Sequence, residues 1–151
     1  MANPRCYAIE NTMAVANPTT TTLVASSTTA VRPEIYDMIL GYSAVPADNA
    51  LIVKVQRFTA AGTSTAYTPV PLDPGDPAST FVAGNTCTIE PTYTTSKIMF
   101  HLALNQRASH RWVADPQGRL KMPAAASNGL GLYNVHATAT PAFDATVYLN
   151  E

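Results

Sequence analysis

IMFHLALNQRASHRWVADPQGRLKMPAAASNGLG, residues Ile98 to Gly131, opens on strict alternation: Ile98, Phe100, Leu102 and Leu104 point one way, Met99, His101 and Ala103 the other. A period of two is the mark of a half-buried β-strand. The polar turn Asn105-Gln106-Arg107 follows, then a short run, Arg111-Trp112-Val113, that carries the only tryptophan. Asp115-Pro116-Gln117-Gly118 breaks the chain with turn chemistry, since proline presets φ and glycine accepts φ > 0. Leu120 to Pro123 reads as a third strand, and Asn128-Gly129 punctuates before a fourth. The stretch predicts a β-meander and contains no catalytic signature.

The same reading extends in both directions. Arg5 to Val15 is expected as a strand, with Cys6, Ala8 and Met13 as inward candidates. Thr19 to Thr29 surrounds Leu23-Val24-Ala25 with β-branched and hydroxyl residues that stiffen an extended backbone. It suits either a strand with an exposed loop or an arm reaching a neighbouring subunit. Tyr36, Met38, Leu40 and Tyr42 alternate on one face, as do Leu51, Val53 and Val55. Ala60-Ala61-Gly62-Thr63 is expected to close a hairpin into Ser64–Thr68. Pro69 to Pro77 holds four prolines, which remove backbone donors and so demand a surface connection. Thr86–Glu90, Leu130–Ala139 and Phe143–Leu149 complete eight to ten short strands. No run of apolar residues at helical spacing is present.

This pattern predicts an all-β, single-domain antiparallel β-sandwich of jelly-roll type with an extended N-terminal segment. Residues 1–31 form its first strand and Thr-rich arm; residues 32–151 form the sandwich. A seven-stranded immunoglobulin-like alternative fails because Trp112 lies outside the Cys6–Cys87 pair.

Composition narrows the function. The 151 residues are 46% hydrophobic but only 13% charged, about half the usual charged share. A charge-poor surface is weakly protected against association and points to contact with other subunits. A net charge of −1 supplies no field for nucleic acid or an anionic membrane. No apolar run approaches a membrane span, the N-terminus lacks signal-peptide layout, and there is no glycosylation sequon, so a cytoplasmic origin is expected. Cys6 and Cys87 cannot make a metal site and read as free thiols, with a disulfide open if their strands are neighbours.

His101, His110 and His136 lack the spacing of a metal site. Ser109-His110 has no nucleophile elbow. Asp73 and Asp76 read as turn formers, and no phosphate cradle occurs. Glu34, Asp37 and Glu90 offer no catalytic pair. No cofactor and no enzymatic activity are expected. The remaining cluster is Arg107, His110, Arg111 and Trp112, residue types that anchor protein interfaces; equally, Trp112 could be core with arginines over its edges. Together with Thr20, Thr21, Thr22 and Leu23 of the arm, these are the candidate interface residues.

Leu104-Asn105-Gln106-Arg107-Ala108-Ser109-His110-Arg111-Trp112-Val113-Ala114, with Leu120 to Ala124 and Asn128-Gly129-Leu130, resembles small β-rich structural proteins of tailed bacteriophages. Val55 to Thr63 and Pro71-Leu72-Asp73-Pro74 are similar to the same group, so the likeness spans residues 32–132. The resemblance implies a capsid cement or decoration protein: a homotrimeric jelly roll on the outer capsid surface, bound to the major capsid protein and made in the host bacterial cytoplasm. It supplies no binding motif that can be transferred residue by residue. The competing expectation is a receptor- or carbohydrate-binding jelly roll of a tail fibre or baseplate, its tyrosines and Trp112 forming a sugar platform.

Overall fold

A computed structural model describes residues 4–15, 19–135 and 141–151. Twelve strands are present among them: β1 (Cys6–Ala14), β2 (Thr19–Ser26), β3 (Glu34–Ala44), β4 (Ala50–Ala60), β5 (Thr63–Tyr67), β6 (Val70–Pro71), β7 (Val82–Ile89), β8 (Thr92–Asn105), β9 (His110–Val113), β10 (Leu120–Lys121), β11 (Gly129–Val135) and β12 (Ala142–Asn150). They build two antiparallel sheets packed as a sandwich, with no helix among the described residues.

The pairing is nested. The first strand pairs with the last, β1 with β12; β2 pairs with β11, β3 with β9 and β10, and β4 with β8. One sheet therefore runs β9/β10-β3-β12-β1-β6 and the other β5-β7-β2-β11-β4-β8. Folding a long hairpin back on itself in this way is the jelly-roll arrangement. The segment between β4 and β8 departs from the nest and adds β6 outside β1 and β5–β7 outside β2.

Alternation fills the space between the sheets. On β12, Phe143, Ala145, Val147 and Leu149 are buried, and their pairing with β3 brings Met38 and Leu40 alongside. Val53 and Val55 of β4 share the same core with Leu130 and Leu132 of β11 and Leu23 of β2, their neighbours in the second sheet. A smaller cluster of Val24, Phe58 and Cys87, with Tyr93 packed on it, forms separately. Tyr93 lies 4.6 Å from Tyr133 between ring centroids, and its hydroxyl meets Thr21 Oγ1 at 2.7 Å.

Several expectations change. The meander is not one: β8 belongs to one sheet, β9 and β10 both pair with β3 in the other, and β11 returns to the first. Alternation reports which face is buried but not which sheet a strand joins. No hairpin forms between β4 and β5. The chain turns at Gly62, whose φ is 71°, and β5 pairs with β7 instead. A β-carbon on Gly62 would run into the Ile89 carbonyl, so the turn needs glycine for space as well as for dihedral angle. Tyr36 leaves the face of Met38 and Leu40, because a bulge in the β3–β12 ladder skips it and turns it to Tyr148, 6.3 Å away.

The proline-rich connection lies at the surface as expected, except that Val70-Pro71 reaches Ala8 and Tyr7 as an edge pair. Asp73 Oδ1 accepts the Gly75 N–H at 2.8 Å, the turn-forming role assigned to it. Both cysteines are free, one in each sheet. His136 and the end of the Leu130–Ala139 strand lie outside the described residues.

Candidate functional site

The two sides of the sandwich are built differently. On one side, β6 and β7 extend the sheets past β1 and β2. On the other, β8 ends one sheet and β9 ends the opposite one, with nothing beyond either among the described residues. Between these margins Phe100 of β8 meets Trp112 of β9, their rings edge-on at 5.9 Å, with the His110 ring 6.4 Å from Phe100. Met99, Phe100, Leu102 and Trp112 pack against the core yet are only partly buried.

The local sequence explains this. Phe100, Leu102 and Leu104 pair with Val55, Val53 and Leu51, so alternation turns them into the sandwich. Burial falls away along the edge: Leu104 is buried, Leu102 and Phe100 are half-buried with no strand beyond them, and Ile98, past a shift in register, is 43% exposed. The β4–β8 ladder is regular from Leu104 to Phe100 and then shifts, skipping Met99, so Ile98 lies opposite Gln56 and leaves the face expected for it; Ser96, with φ of 61°, adds a further irregularity upstream. On the outer face, Val113 at 59% and Ile39 at 39% exposure extend the apolar margin.

The four clustered candidates take different roles. Trp112 is half-buried and inward, so it plugs the margin rather than projecting from it. His110 stands beside it. Arg111 grips Asp37 in a forked pair, Nε reaching both carboxylate oxygens at 3.2 Å and Nη2 reaching Oδ2 at 2.6 Å. Asp37 is buried while the arginine side chain is 63% exposed. Its hydrogen bonds to Asp37, and then the carboxylate charge, raise the Arg111 pKa further. Arg107 is exposed, carries no ion pair among the described residues, and lines a shallow groove of about 490 Å³ with Ser43, Ser109 and Asp144.

The Thr-rich candidates must be withdrawn as surface residues. Thr20, Thr21, Thr22 and Leu23 are 0–3% exposed in β2, a strand flanked by β7 and β11. Thr21 is occupied internally: its N–H donates to Glu90 at 3.1 Å, and its hydroxyl bonds Glu90 and Tyr93. Residues 19–26 are an interior strand of the sandwich and not an arm lying over a neighbour. Threonine suits both settings, so composition did not separate them.

Sequence reasoning missed Asp37 as the partner of Arg111. The available signal was a carboxylate inside the apolar run Ile35 to Leu40, which needs a cation when buried. It also missed the difference between the two sides, which depends on where residues 61–91 go. A second apolar patch lies there: Val82 at 64% and Ile89 at 63% exposure flank an uncharged groove of about 740 Å³ containing Ser26, Ser27 and Ala61. Four strand spacings separate β7 from β8 in their sheet, roughly 19 Å.

Among the described residues, no group of three or more His, Cys, Asp and Glu side chains could hold a metal ion. No family model, no curated protein and no solved structure matches this chain. The class that fold and site define is therefore an all-β sandwich with two separated apolar surface patches.

Proposed function

We propose that this chain is a non-enzymatic virion structural protein, a cement or decoration protein that binds the outer capsid surface and bridges neighbouring capsomers. The observation that carries the reading is apolar exposure at two separated places in one sheet, at Ile98 on the edge strand β8 and at Val82 with Ile89 on β7, four strands away. A bridging protein must hold at least two surfaces at once. A closed homotrimer also needs two different surfaces per protomer, because a ring contact is head-to-tail. Low charge and a sandwich cross-linked by nested long-range pairing suit adhesion under load. Linking copies would multiply modest contacts through effective concentration. The resemblance of residues 32–132 to small phage structural proteins points the same way.

The carbohydrate-binding alternative draws less support. Tyr7 and Tyr133 are buried, and Tyr42 bonds Asn134 at 3.0 Å. Burial raises the Tyr42 and Tyr93 pKa values strongly, as it does for phenols turned from water. An exposed aromatic platform is therefore hard to assemble. The test is co-sedimentation of the purified chain with shells of the major capsid protein, alongside sedimentation velocity of the chain alone. Saturable binding and a trimer are expected; a strict monomer that stays in the supernatant would refute the proposal.

A further inference from the structure

We propose that the free edge of β8 captures an extended segment of another protein, apolar in its centre and acidic at its flanks, which adds a strand to the sheet and completes the core between β8 and β9. This rests on the adhesive reading above and assigns one of its two patches to a partner other than the chain itself.

Three observations converge on it. First, β8 is a 14-residue edge strand, and its regularly paired segment from Phe100 to Leu104 has no proline, no glycine, no bulge and no charge apart from His101. Sheet edges left open in solution are normally blunted by such residues. Second, Phe100, Leu102 and Trp112 have the inward orientation of core residues but are only half-buried. An added strand would cover them and supply main-chain partners for the edge, the usual basis of strand addition.

The third observation is charge. Thr92 to Val113 contains no Asp or Glu, although the chain has ten, and it contains Lys97, His101, Arg107, His110 and Arg111. Arg111 is held by Asp37, whereas Lys97 and Arg107 are exposed and carry no ion pair among the described residues. On β4, Lys54 stands opposite His101. The carboxylates near the ends are Asp48, which accepts the Asn105 amide at 3.2 Å, Asp144, which lines the groove with Arg107 and accepts from Thr12, and Asp115 in the turn after β9. Two copies of β8 side by side would bring two acid-free strands together, which charge opposes. An acidic-flanked segment meets Lys97 at one end and Arg107 at the other.

The experiment uses two synthetic peptides with one alternating Val/Thr centre, flanked by glutamates in one and by lysines in the other. Trp112, the only tryptophan, reports binding by emission, and hydrogen exchange reports protection of the 98–104 amides. The glutamate-flanked peptide should shift the emission, protect those amides and weaken as salt rises. It should exceed the lysine-flanked peptide by at least about tenfold in affinity. The double variant Lys97→Glu/Arg107→Glu, at exposed positions outside the core, should reverse that preference. Equal binding of both peptides, no binding of either, or Trp112 emission that depends on protein concentration through β8 self-pairing would overturn the inference. Should the double variant still co-sediment with capsid shells like the parent, this assignment of the edge fails while the capsid reading stands. Peptide capture without capsid binding by the parent has the opposite meaning.

Discussion

Replacing Glu151 by alanine should loosen the proline-rich connection and cost the fold roughly 2–4 kcal/mol. The Glu151 side chain is 0% exposed and accepts four hydrogen bonds. Oε1 takes Arg5 Nη2 at 2.8 Å and the Tyr7 hydroxyl at 3.1 Å; Oε2 takes the Thr80 N–H at 3.0 Å and its hydroxyl at 2.7 Å. One carboxylate thereby ties the β12 end, the β1 start and the segment before β7. Four bonds to a charged acceptor, at about 1.5–3 kcal/mol each, would total roughly 6–12 kcal/mol. Most partners recover part of that. Arg5 is 34% exposed and regains water, Tyr7 keeps its bond to the Pro77 carbonyl at 3.0 Å, and Thr80 lies at the surface. What is lost is the attachment itself, which leaves the smaller figure. For a chain this size each kcal/mol lowers Tm by about 2–4 °C. Urea denaturation gives the free energy, and limited proteolysis between residues 72 and 80 gives the local effect. Glu151→Gln, keeping one acceptor oxygen, should fall about halfway. An alanine variant within about 0.5 kcal/mol of the parent, with unchanged cleavage in that segment, would refute the reasoning.

Arg111→Ala should lower the urea midpoint, because Asp37 stays buried without its cation. Arg107→Ala, at an exposed side chain, should stay within about 0.5 kcal/mol by the same urea assay. Of the two arginines, only Arg107 thus reports on binding without disturbing the fold. In the native state a thiol reagent should label Cys6, which is half-buried, and spare Cys87, which is buried with its pKa pushed up to about 12 by desolvation and then by Glu90. Equal labelling without denaturant would contradict that placement. Stability should also fall on the alkaline side. Burial lifts Cys87 from 9.0 and Tyr36 from 10.0 to about 12 each in the folded chain. Between these limits the unfolded chain has released protons that the folded chain retains. The stabilising term is whole below pH 9 and disappears toward pH 12, by up to about 1.4 kcal/mol per pH unit for Cys87 and by less for the more exposed Tyr36, where water screens the effect. Melting temperatures across that range check it, and Cys87→Ala should flatten the slope.

Face was legible in most strands but not in β1, where Tyr7 and Ile9 are buried and not the expected Cys6, Ala8 and Met13; sheet membership was not legible. Phe143, Ala145, Val147 and Leu149 alternate with polar neighbours, and all four are buried as their spacing requires. The period of two encodes this directly. Nothing in that period says that Arg111 lies beside Ile39 rather than beside β8, a pairing 72 residues apart in sequence that the nested topology decides. Tyr36 shows a second limit. A bulge shifts the phase by one residue, and the sequence Glu34 to Tyr42 carries no glycine until Gly41 to announce it. The cluster Arg107 to Trp112 was legible as a group of neighbours, and it borders the open margin. Its division of labour was hidden, because burial of Asp37 and half-burial of Trp112 are properties of the packed sheets.

The asymmetry of the two sides ties the fold to the proposed adhesion. The nine nested strands would leave both ends of each sheet open, and residues 61–91 extend only one pair of ends, placing β6 beyond β1 and β7 beyond β2. Glu151 then fastens that extension through Thr80. Had chain closure been the sole requirement, the same device would have served the β8–β9 side, where Phe100, Leu102 and Trp112 stay partly wet. Half-burying three large apolar side chains there forgoes stabilisation on the order of 1 kcal/mol each. A fold that locks one side and leaves the other incomplete concentrates its unsatisfied main chain, apolar surface and positive charge on a single margin. Binding there can recover the missing burial without rearranging the sandwich, so the incomplete side is suited to a partner's strand.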